Sequence, residues 1–404
     1  MTKYFSILIK IQKLSFVLLL LSIIFDPQND HFGIKSYIFL FFCLCSLNHF
    51  NTKYVYVPFV YLFIWIISYV HGISIGSNMD KNIAGWYLNS GFFLLIIPFV
   101  TWKNFNFIYS FYFCTLIYSI YILSLVFFST CNNPLYGFAV EHIQHNNDFV
   151  MFGYRTAMGI KHFCLYHRTS SICLLSEACA LLLFMRTKKN KYFIHFILFF
   201  LALLYSGARA NMLSAIFIVM FFMLYAFYYK VKNRALLIPV IGLMFCVAFV
   251  IVYNISAESG HSNNVKWGHF ESFIKLFESN PLRYLLIGTG PGSIMYSSGI
   301  NMEVGLTELS YLELIKNYGL LFTLTILLVF MVPFKRLYKS ENDNITKAAL
   351  TISYICFFFV AGTNPLFSGS TGFTTVVCMF CLCDRNIYRE LKIESYDRHS
   401  LISI

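Results

Sequence analysis

The sequence predicts an all-α, polytopic helical membrane protein with about twelve transmembrane helices. Hydrophobic residues make up 58% of the chain and charged residues only 12%, whereas soluble domains carry about 25% charged residues. The stretches 107–129 and 235–253 contain no charged residue, and each is close to the roughly 20 residues that cross a bilayer as a helix. A soluble core helix of that length would have a polar face, and these stretches have none.

About twelve stretches are apolar over a suitable length, and we expect each to form a transmembrane helix. Lys10 and Lys13 interrupt the first stretch, and the last is short. In chain order the stretches cover residues 6–25, 34–50, 54–71, 85–101, 107–129, 169–185, 192–206, 210–229, 235–253, 308–333, 348–362 and 371–383.

The basic residues predict the orientation of these helices. If the N-terminus is cytoplasmic, the loops on that side contain the basic segments 186–191, 230–234 and 335–347 and the tail 384–404. Cytoplasmic loops are enriched in lysine and arginine, so we expect both termini in the cytoplasm. The net charge of +12 then follows from topology and does not indicate a nucleic-acid partner.

Two loops on the opposite side of the membrane are long, at about 130–168 and 254–307. Ordered loops of this length are typically functional. The stretch 269–288 within the second loop is amphipathic, so it either lies along the membrane surface or packs as a loop helix. The sequence shows no internal repeat, and we expect a single membrane domain over residues 1–404.

Glu177 is an ionisable residue inside a predicted span. A charge at mid-membrane costs about 2.5–3.5 kcal/mol on insertion scales, so such residues are candidates for function. At about 1.5 Å per residue, Glu177 lies roughly 13 Å below Arg168 if its helix starts at the outer surface. The alternative is a structural hydrogen bond within the helix bundle.

Arg209 follows a short break between two apolar stretches, where small residues suit a turn. The turn does not need an arginine, whose planar fork of donors suits a phosphate or carboxylate. Alternatively, Arg209 anchors the end of its helix at the membrane surface. Arg168, Arg283 and, more weakly, Arg155 lie on the same predicted side, so the group indicates an anionic ligand there.

The stretch LLIGTGPGSIM, residues 285–295, contains Gly288, Gly290 and Gly292. It lacks the lysine of a GxxxxGK[ST] phosphate loop and the βαβ setting of a dinucleotide fingerprint. Its glycines could still bring backbone N–H groups close to an anion. The pattern alone does not identify a ligand.

The segment GLTELSYLELIKNYGLLFTL, residues 305–324, follows it. Thr307 is placed to cap a helix whose first turn contains Glu308, with Tyr311 on the same face. A carboxylate at the outer membrane surface could accept the proton of a substrate hydroxyl. Alternatively, Glu308 only marks the helix N-terminus, where the helix dipole favours an acidic residue.

The scattered histidines form no HExxH-type pattern. The twelve cysteines lie mostly within apolar segments, as small buried hydrophobic residues do. We therefore expect no metal site.

Four stretches in this order resemble the O-antigen polymerases (the Wzy class) and the related O-antigen ligases. Together they cover roughly residues 165–375 and accompany about twelve spans and two long outer loops. The stretches are RTSSICLLSEA (168–178), YSGARANMLSAI (205–216), LIGTGPGSI with TELSYLELIKNYG (286–319) and GTNPLFSGSTGF (362–373).

The resemblance implies a GT-C-like glycosyltransferase in a bacterial inner membrane, working at the periplasmic face without metal or cofactor. The donor would be a growing glycan on undecaprenyl pyrophosphate, and the acceptor a sugar hydroxyl on another lipid-linked repeat unit. Both long loops would then be periplasmic. Membrane lipid, a chain-length regulator protein and a flippase are the further partners that the resemblance implies.

The resemblance also implies roles for individual residues. Ligases typically carry a histidine just before an xYL segment, where this chain has Glu308; this difference favours a polymerase and makes Glu308 the candidate base, with Arg209 as second catalytic residue. The arginine-x10-glycine pattern of some polymerase loops is not matched. The residues expected to bind the pyrophosphate or glycan are Arg155, Arg168, Arg209, Arg283, Glu177, Tyr311, Gly290 and Gly292.

Two other functions are compatible with these observations. One is an O-antigen ligase, whose acceptor would be lipid A-core. The other is a flippase or transporter of lipid-linked oligosaccharide, although transporters commonly show repeated halves and broken mid-membrane helices, and neither is clear in this sequence.

Overall fold

The computed structural model describes residues 2–26, 29, 33–101, 107–130, 137, 140, 150–157, 160–230, 260–340 and 342–385. These residues are mainly helical, as the sequence predicts, with two short antiparallel hairpins in addition. The predicted span 235–253 and most of the predicted tail 384–404 lie outside the described residues.

The elements run in the following order. The first helices are α1 Thr2–Phe25, α2 Lys35–Ser46, α3 Tyr56–Ser74, α4 Lys81–Phe93, α5 Ile96–Val100 and α6 Phe107–Thr130. The first hairpin pairs β1 Val150–Ala157 with β2 Ile160–His167, and the second pairs β3 Met295–Ser297 with β4 Met302–Val304. The remaining helices are α7 Cys173–Thr187, α8 Asn190–Tyr205, α9 Arg209–Lys230, α10 Gly260–Ser279, α11 Pro281–Leu286, α12 Ser310–Phe330, α13 Val332–Lys339, α14 Asn344–Thr363 and α15 Ser370–Leu382.

Eight helical segments in the described part of the chain are long and apolar enough to cross a membrane. This finding confirms the prediction of a helical membrane protein, while the count of about twelve stays a prediction. Three more predicted spans form shorter apolar helices, namely α2, α8 and α15. The eight segments are Ile7–Phe25, Thr52–Ser74, Lys81–Val100, Phe107–Phe128, Thr169–Thr187, Arg209–Tyr228, Ser310–Lys339 and Asn344–Thr363.

The chain forms two compact units. Both contain membrane-length helices, and the single membrane domain expected from the sequence stays a prediction. The first unit comprises Met1–Phe105, Ser259–Lys339 and Ala361–Asp384, and the second comprises Asn106–Glu258, Ser340–Val360 and Arg385–Ile404.

An aromatic cluster forms the core of the first unit. Tyr61 on α3 packs against Phe373 on α15 with ring centroids 5.3 Å apart, and Phe373 packs at the same distance against Phe330 on α12. The Tyr61 hydroxyl donates to the carbonyl oxygen of Tyr87 on α4 at 3.3 Å. Four helices are thus joined by large, buried side chains, which makes the C-terminal end of α12 rigid.

The second unit is built around α7, whose residues from Cys173 to Leu183 are all buried. Polar contacts join α7 and the turn before it to α6: on α7 the Ser176 hydroxyl lies 2.6 Å from that of Thr115, and in the turn the Ser170 hydroxyl lies 2.7 Å from that of Tyr118. Hydroxyl pairs of this kind satisfy polar groups between helices in an apolar environment. Glu177 therefore lies on the most enclosed of the membrane-length helices described in this unit.

Candidate functional site

The glycine-rich segment is a close-packed backbone crossing in the first unit. Gly290 has a φ of 95°, and a Cβ atom there would lie 3.1 Å from both the Cα atom of Gly72 and the carbonyl oxygen of Ser68. Gly292 has a φ of 79°, and a Cβ atom there would lie 2.5 Å from the carbonyl oxygen of Asp80. Only glycine adopts this conformation at such close approach without strain.

Backbone N–H groups of the segment are already used within the protein. The N–H of Thr289 donates to the carbonyl oxygen of Lys316 at 2.8 Å, and the N–H of Gly290 donates to that of Asn317 at 3.0 Å. These two groups are therefore not available to an anion. The segment forms a rigid wall, and the predicted contact of Gly290 and Gly292 with a substrate stays a prediction.

The wall meets a kink in α12. Gly319 interrupts the helix with a φ of 78° and a ψ of 163°. A Cβ atom on Gly319 would lie 2.5 Å from the carbonyl carbon and oxygen of Leu286, and one on Gly288 would lie 2.6 Å from the nitrogen of Gly319. The kink thus lets the two backbones touch, which fixes the position of the wall on α12.

The first turns of α12 contain a buried ion pair that sequence reasoning missed. The Lys316 ammonium lies 2.8 Å from the Glu313 carboxylate, and both side chains are at most 1% exposed. Glu313 Oε1 accepts the N–H of Thr307 at 2.9 Å, and Lys316 Nζ donates to the carbonyl oxygen of Gly305 at 3.1 Å. The pair therefore holds the segment that directly precedes Glu308. The sequence does contain a signal for this pair, because an acidic and a basic residue three positions apart in a helix lie close enough to interact.

Glu308 lies just outside α12, which begins at Ser310. The prediction that Thr307 caps a helix containing Glu308 in its first turn is therefore wrong, because the Thr307 hydroxyl instead accepts the N–H of Leu309 in a local turn at 3.3 Å. The Glu308 side chain is 52% exposed and forms an ion pair with Lys266 on α10 at 2.9 Å. Its carboxylate is thus accessible and faces a cation.

His269 on α10 belongs to the same polar group. Its Nδ1 atom lies 2.5 Å from the hydroxyl of Ser297 on β3, and the side chain is buried. Burial lowers the pKa of His269, the carboxylate of Glu308 partly opposes this shift, and the ammonium of Lys266 adds to it. The imidazole is therefore neutral at pH 7. Sequence reasoning did not single out His269 or Lys266, since no local pattern links them to Glu308.

Two of the stretches that carry the family resemblance, 307–319 and 362–373, contact each other beside Lys266. The Ser310 hydroxyl donates to the carbonyl oxygen of Asn364 at 2.5 Å. A Cβ atom on Gly362 would lie 2.8 Å from the ring of Tyr311, which is half-buried. Lys266 also donates to the carbonyl oxygen of Thr363 at 3.3 Å. The segments 307–319 and 362–373 are therefore one structural feature.

Arg283 lies on the short helix α11, ahead of the glycine-rich segment. Its side chain is half-buried, and it forms no salt bridge with any residue that the structure describes. Its carbonyl oxygen accepts the N–H of Gly288 at 2.8 Å, which ties α11 to the wall.

The remaining predicted residues belong to the second unit. Arg209 is half-buried at the first position of α9. The turn before it contains Gly207, where a Cβ atom would lie 2.8 Å from the Sγ atom of Cys164 on β2. The turn before Arg209 therefore packs against β2, the strand that leads to Arg168. The side chains of Arg155, on β1, and Arg168 lie outside the described part.

Glu177 is completely buried on α7. Neither of its carboxyl oxygens has a hydrogen-bond partner among the described residues. The structural hydrogen bond that was one interpretation of Glu177 is thus not found within that part of the chain, and its role in substrate binding stays a prediction.

The described residues contain no group of three or more His, Cys, Asp or Glu side chains that could hold a metal ion. The predicted site residues divide between the two units. The first unit holds Arg283, Gly290, Gly292, Glu308 and Tyr311, and the second holds Arg155, Arg168, Glu177 and Arg209. Searches of protein-family models and of curated proteins find no match to this chain.

Proposed function

We propose that the protein is an O-antigen polymerase, a glycosyltransferase that joins undecaprenyl-pyrophosphate-linked oligosaccharide repeat units at the periplasmic face of a bacterial inner membrane. The observation that carries the proposal is the accessible carboxylate of Glu308 at the start of a membrane-length helix, 2.9 Å from the ammonium of Lys266. A substrate borne by a lipid would present its reacting sugar at such a position.

In the proposed reaction, Glu308 accepts the proton of the acceptor sugar hydroxyl. The hydroxyl oxygen forms a bond to the anomeric carbon of the donor glycan, and the bond from that carbon to the pyrophosphate oxygen breaks. The pyrophosphate leaves with the electron pair and remains attached to undecaprenol. A positioned general base contributes about 10²–10⁴-fold to a reaction of this kind.

Negative charge grows on the pyrophosphate as this bond breaks, and fixed cations stabilise it. Arg168, Arg209 and Arg283 are the proposed ligands of the pyrophosphate, because a guanidinium binds a phosphate through two parallel hydrogen bonds. In the first unit, Lys266 provides a positive charge beside Glu308, which supports a site for an anionic substrate. No cofactor takes part in the proposed reaction.

The lipopolysaccharide of a strain from which the gene is deleted tests this function. We expect core carrying one repeat unit and no longer chains, with the full ladder restored by the intact gene. Core without any repeat unit would instead indicate an O-antigen ligase or a flippase, and it would overturn the proposal.

A further inference from the structure

An apolar strip is exposed on α10 and α11, outside the membrane-length helices of the described chain. Trp267 is 63% exposed and Leu282 70% exposed. Large exposed apolar patches on a folded protein commonly mark a surface that another molecule or a membrane covers. The strip consists of Trp267, Phe270, Ile274, Leu282, Leu285 and Leu286.

One side of α10 packs against its own unit. The Ser272 hydroxyl lies 3.1 Å from that of Ser298 beside β3, and Phe273 is fully buried. A Cβ atom on Gly268 would clash with the backbone of Gly299. Phe273 therefore does not share the environment of Phe270 and of Ile274, although the sequence places these residues on one helical face.

The exposed part of α10 has two chemically different sides. Trp267, Phe270 and Ile274 are spaced by three and four residues and lie along one side of the helix. Glu271, Lys275 and Glu278 have the same kind of spacing and lie along the next side, where all three are exposed. A helix with one side on protein, one apolar and one charged suits the boundary between lipid and water.

The apolar strip adjoins the exposed apolar surface of a membrane-length helix. Leu286 at the end of α11 touches α12 at Gly319. Directly after this contact α12 exposes a row of leucines, and α12 belongs to the membrane-length segment Ser310–Lys339. The exposed apolar surface of α12 therefore adjoins that of α11 at this contact. The leucines are Leu320, Leu321, Leu324 and Leu328, with 37%, 54%, 49% and 66% exposure.

Arg283 supports the same placement. Exposed leucines surround it on α11, and its guanidinium forms no salt bridge with the described residues. An arginine stem lies well against apolar surface while its charged end reaches water or lipid phosphate. We infer that α10 and α11 lie in the membrane interface, with the apolar strip in contact with lipid acyl chains. This inference does not depend on the proposed function.

Tryptophan fluorescence of the full-length protein in phospholipid vesicles tests the inference. The chain has four tryptophans, so the Trp267 contribution is the difference between the wild type and Trp267→Phe. We expect this contribution to be quenched by phospholipids brominated on their acyl chains and shielded from iodide in the water. Quenching by iodide without quenching by bromine would overturn the inference.

Two further variants keep the test decisive if Trp267→Phe alters the fold. Each is made in the otherwise unchanged chain and compared with the wild type, and the tryptophan added by Phe270→Trp should be quenched by brominated lipid. A tryptophan from Lys275→Trp, on the charged side, should be quenched by iodide instead. Equal responses at these two positions would contradict the three-sided arrangement of α10.

Discussion

Glu308 and Lys266 carry the proposed chemistry at the scale of single residues. The Lys266 side chain is 28% exposed and the Glu308 side chain 52% exposed. Because solvent reaches and screens this ion pair, the pair adds little to stability. An exposed pair with so small a structural benefit is free to exchange partners. We therefore expect Lys266 to turn from the Glu308 carboxylate to an anionic substrate when one is bound.

Glu308→Gln should slow polymerisation by about 10²–10⁴-fold, because the amide cannot accept the hydroxyl proton. The rate of chain growth in membranes from the variant strain measures this effect. Glu303→Gln is the matched control, since Glu303 is an exposed acidic residue on the adjacent β4. Normal growth with Glu308→Gln would remove Glu308 from the reaction.

Arg209→Ala should abolish the O-antigen ladder while the protein stays in the membrane at normal abundance. Arg209→Lys should restore little, since an ammonium keeps the charge but not the planar fork. Arg336→Ala replaces an exposed arginine on α13 and should leave the ladder unchanged. A complete ladder from Arg209→Ala would mean that this arginine only anchors its helix.

The sequence points to Glu308 and Arg209 because each is a charged residue beside an apolar stretch. It does not point to Lys266 or His269, which reach Glu308 only through the packing of α10 on the β3–β4 hairpin. Glu313 and Lys316 do have a helical spacing, but nothing in the sequence says that both are buried. Partners brought together by tertiary packing leave no local pattern.

The element that organises the site is the glycine-rich segment on the kink of α12. Its three glycines all have positive φ values, and they let backbone approach backbone at Gly72, Asp80 and Gly319. The sequence shows the glycines but not what they touch. The structure shows that these glycines allow close packing of the backbone.

Gly290→Ala should destabilise the protein by at least about 1–2 kcal/mol, because a Cβ atom disfavours the left-handed conformation and also meets backbone. The unfolding midpoint of the purified protein in detergent measures it. Gly85→Ala is the matched control: Gly85 lies on α4 with nothing within 4 Å of the Cβ position, so alanine should stabilise by up to about 1 kcal/mol. Equal midpoints for the two variants would argue against the close-packed wall.

Glu313→Gln should lower the free energy of unfolding by about 3–5 kcal/mol, because it leaves the Lys316 ammonium buried without a counter-charge. The double variant Glu313→Gln with Lys316→Met should recover much of this loss, since it removes both charges. The same unfolding measurement compares them. A single variant as stable as the wild type would show that the pair does not hold the segment before Glu308.

At the scale of the whole molecule, hydropathy predicts most of the fold. Eight of the predicted spans appear as helices of membrane length, because an uncharged apolar stretch can satisfy its backbone in a bilayer only as a helix or closed barrel. The β1–β2 hairpin within the loop 130–168 was not predicted. Each of its strands is only eight residues long, which is shorter than a membrane span, so hydropathy does not predict the hairpin.

Reconstitution of the purified protein tests the central claim most directly. Lipid vesicles would contain the protein and lipid-linked repeat units isolated from a strain that lacks it. We expect glycan chains of increasing length, with one undecaprenyl pyrophosphate released for each linkage formed. The proposal would be contradicted if a protein that restores the ladder in cells gave no chain growth in these vesicles. Transfer of glycan only to added lipid A-core would also contradict it.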